Sequence, residues 1–334
     1  MSSKARPTYS ELATLAGVSE ATVSRVLNGD DRVHPDRAKR VHKAVEKLGY
    51  RRNRVAAALA SGKTGLIAIV IEDDLGVFSD PFWATVSSGV SQVLMENGLQ
   101  TLLLVSQVNQ VHGPVARYLE SGEIDGAIFF QMHRDTLMKS LTKHGLPVVI
   151  TGAPHHAGDF VYVDSDQRAG AAQATQHLID GGCRQLATIT GDTGATAGRQ
   201  RLDGFLDAAK GSAIAVPRQR IVHGDYSFES GKHGMTQLLA LKNRPDGVFV
   251  ANDLMAAGAL SAIDEAGFSC PGDIKIVGFD DSLIAQTTRP PLTTVRQDIV
   301  GLGTTAARLM IDLLAGNTPA PVVLPTELVI RATA

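Results

Sequence analysis

Apolar and polar positions near the start of the chain follow the period of a short helix, a turn and a second short helix. Residues 8–28 read TYSELATLAGVSEATVSRVLN, and apolar residues recur three and four positions apart on either side of Gly17. Thr8 and Glu11 have the spacing of a capping box, and Ser19 can cap the second helix. The pattern predicts a helix-turn-helix with an apolar side formed by Leu12, Ala13, Leu15, Ala16, Val23, Val26 and Leu27.

The other side of the second predicted helix carries small or polar residues and one arginine, which suits contact with base edges and phosphates in a major groove. These residues are Glu20, Ala21, Thr22, Ser24 and Arg25. A third helix is predicted to begin near Pro35 and to stop at Gly49. Three helices make a small head, although helical hairpins of this size also occur in proteins that do not bind DNA.

From residue 65 onward, short apolar runs alternate with longer segments of helical spacing, which predicts parallel sheets covered by helices on both faces. The predicted strands are 66–71, 101–105, 126–130 and 147–151, and then 185–190, 220–223, 247–251 and 274–279. The predicted helices include 83–97, 135–144, 168–179, 201–210, 229–241 and 254–266. Two such sets predict two lobes, with a ligand cleft lined by the loops that follow the strands.

Charge is distributed unevenly along the 334 residues, whose net charge is only −2. Residues 1–62 contain twelve Lys or Arg against six Asp or Glu, so this segment carries +6 and the remainder carries −8. A basic head on an acidic body fits phosphate binding by the head. The length suits such a head followed by two mid-sized subdomains.

Cysteine usage and hydropathy indicate a cytoplasmic protein. Cys183 and Cys270 are too few and too far apart for a disulfide framework or a zinc site. The amino terminus lacks the apolar segment of an export signal, and no run of about 18 apolar residues occurs in the chain. We therefore expect neither secretion nor a membrane span.

The residues GVSEATVSRVLN at 17–28, with Val33, LGY at 48–50, Asn53 and Leu59, resemble the lac repressor family of bacterial transcription regulators, and the resemblance runs from residue 8 to about 331. It implies an all-α helix-turn-helix head and an α/β body of two doubly wound parallel-sheet subdomains, as in periplasmic sugar-binding proteins. The implied segments are a DNA-binding domain at 1–50, a hinge at 51–64, an N-terminal subdomain at 65–163 and 295–324, and a C-terminal subdomain at 164–294 and 325–334. The chain is expected to cross between lobes near Val163, Thr294 and Pro325.

The resemblance also implies that the head binds double-stranded operator DNA. The implied DNA-binding residues are Thr8, Ser19, Glu20, Ala21, Thr22, Ser24, Arg25, Asn28, Asn53 and Leu59. A helix as short as the hinge is marginal by itself in water. The resemblance implies that the hinge folds into a helix on DNA and pairs with the hinge of the second subunit in a homodimer. Leu59 then inserts into the minor groove and kinks the duplex. Arg52 and Ala57 depart from the proline and arginine common there, and a linker without a DNA role is the alternative.

Polar and aromatic residues stand in the first half of the predicted cleft. Asp80 and Trp83 open a helix after the first strand, and Asp80 occupies a position where the family usually has Asn. Trp83, the only tryptophan, can stack on a sugar face or on a planar base. The segment 191–201 reads GDTGATAGRQR and lacks the spacing of nucleotide-binding loops. The resemblance instead assigns Arg201 as a bidentate donor to ligand oxygens and leaves Arg199 on the surface.

Three further residues complete the expected ligand-binding set. The resemblance places an aromatic platform at Tyr226, and Asn252 and Asp280 each follow a predicted strand. An amide and a carboxylate can accept or donate to several hydroxyl groups, as polyols require. The next residue of each pair, at 253 and 281, is expected to cap the following helix.

Other function classes were weighed against this set. The paired carboxylates at 280 and 281 suggest an enzyme, but we find no nucleophile with a base, no phosphate loop and no metal-binding spacing such as HExxH. His155 and His156 form a doublet in a polar loop, where we expect no metal, and we expect no cofactor. A sugar-binding protein without DNA activity is opposed by the basic head and the lack of an export signal.

We therefore expect a homodimeric repressor controlled by a small molecule, a sugar or sugar derivative, with no membrane partner. A purine or nucleoside ligand, or a co-repressor in place of an inducer, is the alternative. Only three residues follow the last predicted strand at 327–331, so the extension that makes some relatives tetramers is not expected.

Overall fold

The computed structural model describes residues 7–27, 30, 32–50, 62–72, 80–106, 113–130, 136–155 and 160–334, and the chain divides into two units, Met1–Thr64 and Gly65–Ala334. The first unit, the head, contains helices α1 (Tyr9–Ala16), α2 (Glu20–Leu27) and α3 (Pro35–Leu48). The predicted capping box is confirmed, because Thr8 Oγ1 accepts from Glu11 N and Glu11 Oε2 accepts from Thr8 N. Gly17 and Gly49 end α1 and α3 with φ of 64° and 61°, a conformation that costs glycine little.

The core of the head forms where the apolar sides of its three helices meet. Leu12, Val23 and Val41, one from each helix, are completely buried. Leu15, which the spacing placed on the apolar side of α1, is instead 42% exposed. A helix of eight residues has one narrow face toward its neighbours, and Leu12, Ala13 and Ala16 already fill it.

The first lobe of the body is a six-stranded sheet with helices on both faces. Its strands are β1 (Leu66–Glu72), β2 (Gln100–Ser106), β3 (Gly126–Phe130), β4 (Val148–Thr151), β5 (Val161–Ser165) and β11 (Val322–Leu324), in the order β11-β5-β4-β3-β1-β2. Its helices are α4 (Pro81–Glu96), α5 (Pro114–Leu119), α6 (Thr136–Lys143) and α12 (Ile299–Leu314). Alternate residues of β1 divide between two cores, with Ile67 and Ile69 under α4 and α12 and Ala68 and Val70 under α5 and α6.

The second lobe repeats this arrangement. Its strands are β6 (Leu186–Thr190), β7 (Ile221–His223), β8 (Gly247–Val250), β9 (Lys275–Asp280), β10 (Thr293–Gln297) and β12 (Thr326–Val329), in the order β12-β10-β9-β8-β6-β7. Its helices are α7 (Gln167–Asp180), α8 (Thr196–Gly211), α9 (Phe228–Leu239), α10 (Asp253–Glu265) and α11 (Leu283–Thr287). The rings of Phe205, Phe249 and Phe279 fill the core beneath α7 and α8, with Phe205 stacked on Phe249 and Phe249 packed edge-on against Phe279. The two-lobed α/β fold predicted from the sequence is confirmed.

The chain passes between the lobes after β5, after β10 and between β11 and β12. Val163 and Thr294, where two crossings were expected, lie inside β5 and β10, whereas Pro325 separates β11 from β12. All three crossings leave the carboxyl end of a strand. The strand β12 therefore starts at the cleft side and runs away from it, antiparallel to β10, so the second sheet is not entirely parallel.

Candidate functional site

The exposed side of α2 carries the side chains predicted to read DNA. Burial of Val23 and Val26 in the head core leaves Glu20, Ala21 and Arg25 exposed. Thr22 and Ser24 are half-buried at the edge of this surface. The use of this face against a duplex stays a prediction.

Two of the predicted DNA-binding residues also stabilise helix starts. Thr8 belongs to the capping box of α1, and Ser19 Oγ accepts from Thr22 N over 3.2 Å at the start of α2. Capping occupies part of each hydroxyl, which retains further hydrogen-bonding capacity for a phosphate. The predicted contacts of Asn28, Asn53 and Leu59 lie outside the described residues.

The candidate ligand site lies where the carboxyl ends of the two sheets meet. Asp80, the N-cap of α4 in the first lobe, accepts at Oδ1 from Phe82 N over 2.9 Å. Its other oxygen lies 3.4 Å from Nδ2 of Asn252 in the second lobe. Asn252 Nδ2 also donates to Tyr226 O over 3.1 Å. Three of the residues expected to bind ligand therefore meet across the cleft.

Arg201 occupies the centre of the site and is buried, with only 5% of its surface exposed. Its Nε donates to Gln167 Oε1 over 2.7 Å, its Nη1 donates to Ala251 O, and Nη1 lies 3.5 Å from Asp280 Oδ1. The guanidinium lies 3.7 Å from the ring centre of Phe279, a cation–π contact that holds its plane. These contacts orient the Arg201 guanidinium within the site.

The loop before Arg201 is shorter than the sequence suggested. Helix α8 begins at Thr196 and not near Arg201, so the segment 191–201 is half loop and half helix. Arg201 therefore projects from the second turn of a helix, which fixes its backbone. Arg199 is exposed, as expected, and its Nη2 lies 2.5 Å from Nδ1 of His155 in the first lobe.

Asp280 ends β9 in a strained backbone conformation, with φ of 114°. Its Oδ1 accepts from Gln297 Nε2 over 2.6 Å, and burial raises its pKa well above the usual value despite nearby Arg201. Asp281 also has a positive φ, 54°, and forms ion pairs with Arg296, over 2.7 Å, and with Arg331. These two arginines anchor the strained turn that presents Asp280 to the cleft.

The expectation that Asp253 caps the helix after its strand was wrong. Asn252 itself is the N-cap of α10, accepting from Met255 N over 2.9 Å, and Asp253 lies one position inside the helix. Asp253 instead accepts from Ser282 N over 2.7 Å and from the Thr294 hydroxyl. The helix start falls one residue earlier than the alternation suggested, because the extended φ and ψ of −149° and 169° belong to position 252.

The expectation that Asp281 caps the next helix was also wrong. Asp281 does not cap α11, whose N-cap is Ser282 without a side-chain hydrogen bond. The two arginines reach Asp281 from β10 and from the end of the chain. Neither contact can be inferred from neighbouring residues in the sequence.

Tyr226 lies against the loop that follows β6. A Cβ atom at Gly191 would lie 2.1 Å from its Cζ, so only glycine fits beneath the ring. The phenol oxygen is buried, no described residue supplies it with a partner, and burial raises the pKa of Tyr226 to about 12. A buried hydroxyl of this kind is suited to a hydrogen bond with a polar ligand.

Trp83 is half-buried at the start of α4, with one face stacked on Phe130 at 5.8 Å and 19° between planes. Phe82 packs edge-on at 5.0 Å. This packing holds the indole rigidly and leaves it at most one face for a ligand. Its role as a platform stays a prediction.

Sequence reasoning missed Asp164, Gln167 and Gln297. All three are buried at the ends of β5 and β10 or next to them, and they are bonded to Arg201 or Asp280 directly or through one another. The rule that polar residues after strands line a cleft would have found them if β5 and β10 had been predicted. The short patterns VYVDS and TTVRQ mix polar residues into the strand, which hid both strands.

The site combines several buried carboxyl groups with one buried guanidinium. Burial raises the pKa of Asp80, Asp164 and Asp280, and it raises that of Asp253 to about 7. Fixed acceptors and donors of this kind can hold a hydroxyl-rich molecule. Among the described residues, no group of three or more His, Cys, Asp or Glu could hold a metal ion. No helix in the described parts of the chain is long and apolar enough to span a membrane.

Comparisons with known proteins match both units. Residues 8–53 match the family of bacterial regulatory proteins called the lacI family, and residues 175–334 match a periplasmic binding protein-like domain. The HTH-type transcriptional regulator CelR of Thermobifida fusca is 37% identical over 337 residues, 99% of each chain.

Two solved structures extend the similarity to the fold. A complex of the transcriptional regulator CelR with cellobiose has a TM-score of 0.78 at 36% identity, covering 98% of this chain and 100% of that chain. The lac repressor dimer bound to operator and the anti-inducer ONPF has a TM-score of 0.89 at 27% identity, covering 98% and 99%. The match of the head to the family and the 37% identity to CelR over nearly the full length agree with each other. The chain therefore belongs to the lacI family of bacterial regulatory proteins.

Proposed function

We propose that this regulator is a homodimeric repressor whose operator affinity is controlled by a neutral sugar, of the cellobiose type, bound between the two lobes. The observation that carries the proposal is the polar cluster at which both lobes meet, with Asp80 on one side and Arg201, Asn252 and Asp280 on the other. Similarity over nearly the full length to CelR, which has been solved with cellobiose, supports a sugar of this class.

The chemistry of the cluster suits sugar hydroxyls. Each hydroxyl donates one hydrogen and accepts others, so it can bridge a carboxylate such as Asp280 and a guanidinium such as Arg201. Asn252 and the Tyr226 hydroxyl provide further positions for either role. Trp83 offers an aromatic face for the C–H surface of a sugar ring.

On the DNA side, the exposed face of α2 enters the major groove, with Glu20 and Ala21 setting base preference and Arg25 contacting bases and phosphate. The remaining residues of the predicted set, including Thr8, Ser19 and Asn28, position the head on the backbone. Leu59 wedges into the minor groove at the operator centre. Because this role requires the chromosome, we place the protein in the bacterial cytoplasm, and we assign it no catalytic step.

Dimerisation follows from the two-fold symmetry of operators. Apolar side chains on the body are available for it: Leu103 and Val105 on β2, the edge of the first sheet, are 43% and 46% exposed, and Leu283 on α11 is 71% exposed. An exposed edge strand and apolar side chains of this kind favour burial against a second copy.

The switch follows from a ligand held by both lobes. A sugar that touches Asp80 on one lobe and Asn252 on the other binds the closed arrangement more tightly and shifts the population toward it. In a dimer, closure changes the spacing of the two points near Thr64 from which the hinges leave the bodies. We propose that the spacing grows and the operator is released. Operator DNA must then weaken sugar binding by the same factor.

The test is operator binding by the full chain with and without cellobiose, together with a cellobiose titration followed by the fluorescence of Trp83, the only tryptophan. Cellobiose is expected to quench or shift this fluorescence and to weaken operator binding roughly 5- to 150-fold. Asp280→Asn should lose the response and keep ligand-free operator affinity, whereas Asp312→Asn, exposed on α12, should behave as wild type. A response to purines and not to cellobiose would overturn the sugar assignment, and tighter operator binding would make the ligand a co-repressor.

A further inference from the structure

Two of the three crossings between the lobes have the same backbone geometry. Asp166 lies between β5 and α7, with φ and ψ of −73° and 77°, and Asp298 lies between β10 and α12, with −78° and 80°. Each aspartate caps the helix that follows it, Asp166 by accepting from Ala169 N and Asp298 by accepting from Gly301 N. The two residues therefore have equivalent places in the fold, one entering the second lobe and one leaving it, and we refer to them as the first and the second pivot.

A continuous chain of buried polar contacts joins the residues beside these pivots. Gln167, just after the first pivot, donates from Nε2 to Asp164 Oδ1 over 2.8 Å and accepts at Oε1 from Arg201 Nε over 2.7 Å. Arg201 Nη1 lies 3.5 Å from Asp280 Oδ1. The same oxygen accepts over 2.6 Å from Nε2 of Gln297, just before the second pivot. All five residues are at least nine-tenths buried.

We propose that Gln167 is a positioning residue that couples the ligand-binding pair, Arg201 and Asp280, to both pivots. It holds Arg201 at the orientation a ligand requires, and it transmits any movement of that guanidinium to Asp164 in the first lobe. The inference rests on the proposed function, because it concerns how the same cleft responds to its effector. Its first test nevertheless needs no effector.

The chemistry of an amide explains why glutamine occupies this position. A carboxylate such as Asp164 only accepts hydrogen bonds, and a guanidinium such as Arg201 only donates them. An amide between them presents NH₂ to the first and C=O to the second, so its orientation is fixed by both neighbours. In a buried site each broken contact leaves a desolvated group without a partner, and the arrangement is therefore held tightly.

The carboxylate at the first-lobe end is itself tied to the fold. Asp164 Oδ2 accepts from Ala153 N over 2.9 Å, in the loop after β4, and Oδ1 also accepts from Ser165 N over 2.8 Å. The chain of contacts thus starts on the first-lobe backbone, passes the first pivot, runs through the ligand-binding arginine and ends at the second pivot. A ligand that shifts Arg201 acts on both pivots at once.

The first experiment measures amide hydrogen exchange in the ligand-free full chain by mass spectrometry. Gln167→Met is expected to raise exchange about tenfold at residues 295–301, around the second pivot, as well as at 160–170. The control is Gln176→Met on the same helix, where the exposed glutamine donates to Asp180 and no change at either pivot is expected. Faster exchange confined to 160–170 would overturn the proposed coupling.

The second experiment measures operator affinity at zero and saturating cellobiose. In Gln167→Met the factor by which cellobiose changes operator affinity is expected to fall below about threefold, against roughly 5- to 150-fold in the wild type, with ligand-free operator affinity unchanged. A purely structural role would lower the melting temperature and leave this factor intact, which would contradict the proposal. If the wild type ignores cellobiose, the sugar assignment fails, and the exchange experiment still decides the coupling.

A second variant separates the two contacts of the Gln167 side chain. Gln167→Glu keeps an acceptor for Arg201 and removes the donor to Asp164. It is expected to retain cellobiose affinity, measured by Trp83 fluorescence, and to lose the change in operator affinity. Retention of both would show that the link to Asp164 is not needed and would overturn the inference.

Discussion

In the head, helix α2 buries Val23 and Val26 and leaves Glu20, Ala21 and Arg25 exposed to solvent. In the cleft, by contrast, Arg201 and Asp280 are buried and are bonded to other residues of the site. The proposed DNA-reading surface therefore consists of side chains that the core of the head does not use, and we expect that they can change without unfolding the head. The cleft is a polar core in its own right, in which binding and stability depend on the same contacts.

The two regions also shift carboxyl pKa values in opposite directions. Asp30 in the head is hydrogen-bonded to Arg32, which lowers its pKa to about 2. Burial raises the pKa of Asp253, which lies beneath the cleft, to about 7. A positively charged neighbour at the surface stabilises the charged form of a carboxyl group, whereas removal of the carboxyl group from water favours its neutral form.

The largest expected effect comes from removing the central cation of the cleft. Arg201→Met should destabilise the body by about 3–5 kcal/mol, because it leaves the buried carboxyl groups of Asp280 and Asp164 without their positive neighbour. Cellobiose binding should be lost, while the head still binds operator. Thermal unfolding measures the stability of the body, and operator titration measures DNA binding by the head. Arg199→Met on the exposed side of the same helix is the control, and equal stability of the two variants would contradict the comparison.

The pH dependence of stability tests the buried carboxyl groups. The pKa of Asp253 is raised in the folded state, so folding takes up protons between about pH 4 and 7 and the body loses stability as pH rises through 7. Asp253→Asn removes this contribution and should stabilise the body by at most about 4 kcal/mol at pH 8 and little at pH 4. Its amide can still accept from Ser282 N while donating to the Thr294 hydroxyl.

Calorimetry of the full chain from pH 4 to 8 makes this measurement. Asp264→Asn, exposed on the same helix, should leave the pH profile unchanged. A variant at Asp253 that is less stable than wild type at pH 8 would show that its hydrogen bonds outweigh the cost of its burial.

The exposed face of α2 should respond in binding and not in stability. Glu20→Gln should change the preferred operator by about 1–3 kcal/mol at one or two base positions while the melting temperature stays constant. Selection of binding sites from a random DNA library would reveal the change. Glu46→Gln on α3 provides the matched control, and an unchanged preference at Glu20 would refute the assignment of α2.

The smallest expected effect distinguishes capping from DNA contact at Thr8. Thr8→Ala removes the capping box of α1 and should cost the head about 1 kcal/mol. Thr14→Ala, at an exposed position of the same helix, should cost less. Amide exchange of α1 in the full chain measures stability, and operator affinity measured alongside shows whether Thr8 also contacts DNA. Equal exchange in both variants would contradict the capping role.

How far the sequence alone could lead differs between the two regions. Helix and strand periods were sufficient for the three head helices, for most strands of the body and for the face of α2, because these depend on residues three, four or two positions apart. The rule that polar residues follow strands pointed to Asp80, Asn252 and Asp280, whereas Arg201 was assigned from the family resemblance alone. Helical periodicity overestimated the width of the buried face of α1 by including Leu15, because periodicity does not say how wide the neighbouring surface is.

Local spacing in the sequence determined which residues lie at the ends of strands. Only the tertiary structure decided which partners each of these residues contacts. Asn252 caps a helix and reaches Asp80, 172 positions away in the chain, and Asp281 is held by Arg331 from the last residues. Gln167 and Gln297 became visible only when β5 and β10 brought them beside Arg201 and Asp280. Hydrogen bonds and burial depend on distances in space. When two residues are far apart in the chain, the distance between them is set by how the two sheets pack and not by the neighbouring sequence.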